Sequence, residues 1–283
     1  MSLKTLLRAL VPKSVRRGIK HTFHAQFKQQ IDWEYLPQGW RAAAQDPAVK
    51  GWNVADIRER YAENWHNLER HLSGSGPLGF WYESGADSAD SLVPHNIHMS
   101  FAYALGLASR GQTRITMLDW GGGLGHYYAL AQTLYPDLAI DYTCKEMPVF
   151  VEEGQRRHPQ AHFHADDQVL DSTYDFVVAS GSMHYEEDWK LLLARLARAT
   201  SGYLYVARTP VVRSVPEFVF VQRPYAHGYN TEYISWALNV QSLLGMAQSC
   251  GLTLVREFVM GENPDIDHAP EPVKYAGFLF RAA

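Results

Sequence analysis

From Ile115 to the end of the chain, short apolar runs alternate with amphipathic ones, and this alternation limits the possible folds more than any other feature of the sequence. Seven runs have the length and the β-branched or aromatic content of buried strands: residues 115–118, 139–144, 162–164, 176–179, 203–207, 252–258 and 275–280. Amphipathic stretches at 124–134, 149–157, 186–199 and 232–249 fall between them and read as helices. The last starts at Asn230 or Thr231 as N-cap and stops at Gly251. Strands that alternate with helices are joined by right-handed crossovers, so the expected fold is α/β, with a seven-stranded, mostly parallel sheet and helices on both faces.

The first 110 residues have a different texture and are expected to form a helical N-terminal region ahead of the α/β domain at 111–283. Leu3, Leu6, Leu7, Leu10, Val15, Ile19, Phe23 and Phe27 recur at helical spacing, with basic residues between them. Residues 1–31 carry +7 and no acid. The remainder therefore carries −11, the difference between this and the overall −4. An acidic body repels phosphate, which argues against a nucleic-acid partner. The basic arm 1–30 suits an anionic membrane surface, or docking on the protein itself or on a second subunit of a homo-oligomer. A further helix runs through Ile57, Tyr61, Trp65, Leu68 and Leu72 to the Ser-Gly-Ser-Gly-Pro run at 73–77, and another covers 94–109. Two cysteines, Cys144 and Cys250, form no metal-ligand pattern, and no apolar run approaches the roughly 20 residues of a membrane span. With no cleavable leader pattern, these features point to the cytoplasm, with the arm at the inner face of the membrane as the more specific option.

The chemistry-bearing stretch is Asp119-Trp120-Gly121-Gly122-Gly123-Leu124-Gly125-His126, where a strand enters and a helix leaves. Glycines there let a ligand approach the main chain more closely than any Cβ would allow, and the open helix N-terminus offers unpaired N–H groups. Dinucleotide sites want a third glycine three positions after Gly123, where this chain has His126. The spacing Asp119-x-Gly121-x-Gly123-x-Gly125 instead resembles the first motif of class I S-adenosylmethionine-dependent methyltransferases, and the order of elements is similar to that class over about residues 112–283. The resemblance implies a Rossmann-like fold and S-adenosyl-L-methionine as cofactor. It implies that Glu146, after the second strand, binds the ribose hydroxyls, and that Asp166 (ahead of Asp167) meets the adenine amino group. Ser180 and the loop after it would border the methyl group. The set Glu146-Met147-Pro148, residues 180–185, Arg208-Thr209-Pro210 and Val221-Gln222-Arg223 further resembles methyltransferases associated with bacterial surface-polysaccharide biosynthesis.

That likeness implies methyl transfer to a hydroxyl of a sugar or glycan acceptor. In-line displacement of this kind depends mainly on alignment, and a placed base helps by removing the hydroxyl proton. His184, just past the fourth strand, is the first candidate base and His126 the second, since a cationic imidazole at a helix N-terminus would oppose the helix dipole. A packing role is the competing reading of each. The long connection 208–229 reads as a segment covering the substrate, with Arg208 and Arg223 as a clamp for an anionic group and Gln222 and Tyr229 among its polar and aromatic contacts. Methylation of another small molecule, or at nitrogen, stays open. A nicotinamide-dependent oxidoreductase and a non-catalytic protein with this fold remain the rivals from other classes.

Overall fold

The computed structural model describes residues 32–82 and 89–283. The basic arm 1–30 lies outside the described residues. Ten strands follow in chain order: β1 (Trp33–Tyr35), β2 (Arg114–Trp120), β3 (Ala139–Lys145), β4 (His162–His164), β5 (Tyr174–Ser180), β6 (Thr200–Val212), β7 (Phe218–Gln222), β8 (Tyr233–Asn239), β9 (Leu252–Val259) and β10 (Lys274–Ala282). The α-helices are α1 (Trp40–Ala43), α2 (Ala55–Leu72), α3 (Leu92–Ala108), α4 (His126–Leu134), α5 (Pro148–Arg157), α6 (Trp189–Arg198) and α7 (Val240–Ser249).

All seven runs read as strands are strands, in the spatial order β4-β3-β2-β5-β6-β10-β9. The first five of these are mutually parallel, and β10 inserts antiparallel between β6 and β9. Side chains alternate along β2: Met117 joins the core under α2, α3, α4 and α5, while Leu118 joins the core under α6 and α7. Both residues are fully buried, which is why the strands of such a sheet read as continuous apolar runs.

The sheet has ten strands rather than seven. β6 is 13 residues long; its last two residues lie beyond its pairing with β5, which ends at Ala207, and pair in parallel with Leu238 and Asn239 of β8, while β10 stays paired with β6 as far as Val211. β8 then pairs antiparallel with β7, and β7 with β1, so the sheet forks at β6. Strand β1 falls in the region expected to be helical, and β7 in the connection read as a covering segment. Strand β8 takes the first half of the expected helix 232–249. Residues 233–238 are nearly all buried because they lie between two strands with packing on both faces, so they show no helical stripe. The helix cap is Asn239, whose side-chain oxygen accepts from the N–H of Gln241 at 2.9 Å and of Ser242 at 3.1 Å. Among the described residues no helix is long and apolar enough to cross a membrane, and no cluster of His, Cys, Asp or Glu could hold a metal ion.

Candidate functional site

The carboxyl ends of β2, β3 and β5 meet at one edge of the sheet, where a doubly wound fold places its ligands. After β2 the chain turns on Gly121, Gly123 and Gly125, with φ of 75°, 59° and 87°, values that side chains with a Cβ rarely adopt. At Gly121 the space is also taken, because an added Cβ would stand 2.4 Å from Ser182 Cβ. No side chain caps the N-terminus of α4, so its first N–H groups are left to other partners. Glu146 follows β3 and faces this turn. It is 9% exposed, and it accepts from Gly123 N–H at 3.0 Å and from its neighbour Met147 N–H at 2.7 Å. Burial raises its pKa, opposed by these two N–H groups and by the Lys145 charge. Two bonded oxygens still leave acceptor capacity on a carboxylate.

Asp119 lies beneath the turn rather than in it. It is 1% exposed, its Oδ2 accepts the Tyr142 phenol at 2.7 Å, and its Oδ1 has no partner. Burial raises its pKa to about 7, with the Tyr142 bond opposing and the Glu146 charge adding to the rise. Beside it, Lys145 stands 4.3 Å above the Trp120 ring and 3.4 Å from Asp167 Oδ1. A cavity of about 380 Å³ opens above these strand ends. Its walls bring together Gly121, Gly123, Glu146, Ser180, His184 and Arg208, which sequence reasoning had singled out.

His184 forms part of the cavity wall with 0% exposure, and neither ring nitrogen has a partner. Burial and the nearby Arg208 charge lower its pKa to about 3, so the imidazole is neutral at physiological pH. It can accept a hydrogen bond from a hydroxyl, but as a base it is weak. Arg208 sits at φ 46° where β6 bulges: Ala207 and Arg208 oppose the single residue Gly277 of β10. A non-glycine residue in this region carries roughly 1–3 kcal/mol of strain and re-aims its side chain. Here the guanidinium reaches Glu262 at 3.3 Å, stacks 5.2 Å above Trp81 and borders the cavity.

The other sequence candidates lie away from the cavity walls. Gly125 backs onto His158 and Phe163. Asp166 is exposed and accepts from Gln168 N–H at 3.0 Å, capping a short turn. His126 is 5% exposed and stacks on Tyr82 with 3.9 Å between ring centres, and burial holds its pKa well below the usual value. Arg223 bridges Glu34 on β1 and Glu232 before β8, which ties the added strands together. Gln222 is buried behind Tyr185, and Tyr229 belongs to the core. Sequence reasoning passed over Tyr61, Tyr82, Trp52, Lys145, Glu186 and Tyr233, all of which line the cavity. Lys145 had a usable signal in its adjacency to Glu146. The aromatics come from α2, the segment before it, the stretch after Leu78 and β8, and no local motif marks them.

No family model matches the chain, and no curated protein sequence matches it. Among solved structures it is similar to a Galdieria sulphuraria protein described as a candidate sarcosine dimethylglycine methyltransferase: 13% identity over 80% of this chain and 98% of that one, TM-score 0.51. That likeness shows a shared Rossmann-like α/β fold. Weaker likenesses, which add nothing to the fold assignment, are to a Burkholderia thailandensis 1,6-didemethyltoxoflavin-N1-methyltransferase (14% identity, 81% and 88% coverage, TM-score 0.42) and to an O-methyltransferase family protein from the same organism (18%, 83% and 75%, TM-score 0.44).

Proposed function

We propose that the protein is an S-adenosyl-L-methionine-dependent methyltransferase whose acceptor atom is a hydroxyl of a sugar or glycan, of the kind used in surface-polysaccharide biosynthesis. The observation that carries the reading is the placement of Glu146 against the glycine turn. The cavity has the volume of a small-molecule site, and Gly121 and Gly123 line it with bare main chain that a ligand can approach closely. Glu146 keeps acceptor capacity for a ribose diol, and Met147 and Phe150 supply an apolar surface for a purine. The bound cofactor supplies an electrophilic methyl group on a sulfonium. The protein's part is to align the acceptor and exclude water, with His184 accepting the hydroxyl hydrogen at one ring nitrogen. Since the buried imidazole is a weak base, orientation is the larger share of what His184 contributes. A membrane-facing role for residues 1–30 belongs to the same proposal.

Calorimetry with S-adenosylmethionine, S-adenosylhomocysteine and NAD tests it. The first two bind and NAD does not, and Glu146→Gln weakens both by about tenfold to a hundredfold, the worth of hydrogen bonds to a charged acceptor. NAD binding without the other two would overturn the assignment. Deleting residues 1–30 removes co-sedimentation with anionic vesicles and leaves cofactor affinity intact. Retention of co-sedimentation would refute the membrane role.

A further inference from the structure

Among the described residues three cations line the cavity: Lys50, Lys145 and Arg208. Two of them are committed to carboxylates. Lys145 lies 3.4 Å from Asp167 Oδ1. Burial raises the pKa of Glu146 and of Glu186, the two acids of the same wall, and the Lys145 charge opposes both rises. Arg208 faces Glu262 at 3.3 Å. Lys50 has no carboxylate partner among the described residues, and its ammonium makes a single bond, donating to the main-chain oxygen of Asn230 at 3.3 Å. An ammonium has three donors, so two remain for a guest.

The backbone around this lysine is held in place. Val49 bridges to Glu232, Gly51 N–H donates to Glu232 O at 3.1 Å, and Glu232 N–H donates to Ala48 O at 3.0 Å. The Thr231 hydroxyl adds a bond to Gly51 O at 2.8 Å. The Lys50 loop is thus fastened to the residues just before β8, and Trp52 lies flat on Tyr233 with 4.4 Å between ring centres. In the sheet β8 stands four places from β3, the strand that presents Glu146. Lys50 therefore borders the cavity on the side away from Glu146, where the function proposed above seats the acceptor. A guest on that side takes water from the ammonium. Desolvating a charge without an opposite charge is unfavourable, which disfavours a neutral guest and a cationic one more. An anionic oxygen replaces the lost water with a charge-assisted hydrogen bond. The anion contact that the sequence suggested for Arg208 and Arg223, both now paired with glutamates, falls to Lys50.

We propose that Lys50 selects a guest bearing an anionic group, a carboxylate or a phosphate, and pairs with that group. That the guest is the methyl acceptor rests on the function proposed above, whereas the pairing does not. The full chain, saturated with S-adenosylhomocysteine, is titrated by calorimetry with methyl glucoside, glucuronate, glucose 1-phosphate and 4-hydroxybenzoate, in low and in high salt. Glucuronate or glucose 1-phosphate binds about tenfold or more tightly than methyl glucoside, and the margin shrinks in high salt. The tighter of the two identifies the anionic group. Lys50→Met abolishes the margin and Lys50→Arg keeps it, while affinity for S-adenosylhomocysteine changes by less than about twofold in either variant.

Equal affinity for methyl glucoside and the two sugar anions overturns the proposal, as does a margin that survives in Lys50→Met. Absence of saturable binding by any of the anions overturns it too. So does a loss of about tenfold in S-adenosylhomocysteine affinity in Lys50→Met, since the lysine would then hold the carboxylate of the cofactor. Binding of 4-hydroxybenzoate alone, lost in Lys50→Met, upholds the anion contact and removes the sugar from the function proposed above. If S-adenosylhomocysteine itself does not bind, the cofactor reading fails, and the same titrations of the free protein decide the part of Lys50 alone.

Discussion

Replacing Asp119 with asparagine should stabilise the protein progressively as the pH rises from about 4 to 8. The wild-type carboxyl is 1% exposed, has one bonded and one unpartnered oxygen, and is raised by burial from 3.8 to about 7. Between these values the folded protein holds a proton that the unfolded chain has released. Folding then takes up a proton, so stability falls with rising pH and the penalty is complete above about pH 7. At about 1.36 kcal/mol per pH unit, the interval from 3.8 to about 7 sets a ceiling of about 4 kcal/mol. Asparagine keeps an oxygen for Tyr142 and nearly the same volume but never ionises. His184 and His158, held at about 3 and about 4 chiefly by burial, make the folded state less stable below pH 6.5, where their unfolded counterparts take up protons. That loss is common to both proteins and cancels in their difference. Urea unfolding followed by tryptophan fluorescence at intervals from about pH 4.5 to 8.5 measures it. The difference should start at about 1 kcal/mol at the acid end and grow to at most about 4 kcal/mol, with most of the growth below pH 7. A difference that stays flat across the range refutes the picture of an ionising carboxyl under the glycine turn.

Gly121→Ala places a Cβ 2.4 Å from Ser182 Cβ at φ 75°, and calorimetry should show affinity for S-adenosylhomocysteine reduced by about a hundredfold or more; ordinary affinity would mean the turn yields freely. Gly154→Ala drives a methyl to 2.3 Å from the Phe163 ring and should cost about 1–3 kcal/mol in urea unfolding. Gly245→Ala, in α7 with nothing within 4 Å, should gain about 0.5–1 kcal/mol in the same assay, and equal effects of the two would contradict the packing described. Because His184 stays neutral down to about pH 3, the pH–rate profile of an identified acceptor should lack a His184 limb near pH 6.5. A limb there that disappears in His184→Gln would show that the ring is not buried as described.

The sequence resolved what local periodicity and short motifs encode. Strands β2, β5, β6 and β10 are legible because they are buried along most of their length and read as apolar runs, β4 and β9, which are largely exposed, because they keep their place in the alternation of strands and helices, and the Asp119-to-Gly125 turn and Glu146 because strand, turn and acid adjoin in the chain. β8 was hidden since Tyr233–Leu238 runs without a break into the apolar face of α7, and the boundary rests on one residue, Asn239. β7 was hidden because its burial depends on β1 and β8, which arrive from almost 190 residues upstream and a dozen downstream of Phe220. Arg223 looked like a substrate clamp for the same reason. Its partners Glu34 and Glu232 are far apart in sequence, so nothing local shows that its charge is spent on holding strands together. Trp52 and Tyr185 meet only through the fold.

The fork in β6 separates two parts of the molecule that could be altered independently. One prong ends near the glycines and Glu146, and the other carries β8 with Tyr233 and Ile234. An exchange at Ile234 or Val49 touches none of the hydrogen bonds that fix Glu146 to Gly123 and Met147. On the function proposed above, the scaffold lends itself to retargeting, in which the choice of guest would be rewritten on one prong while the grip on the donor, on the other, would be inherited unchanged.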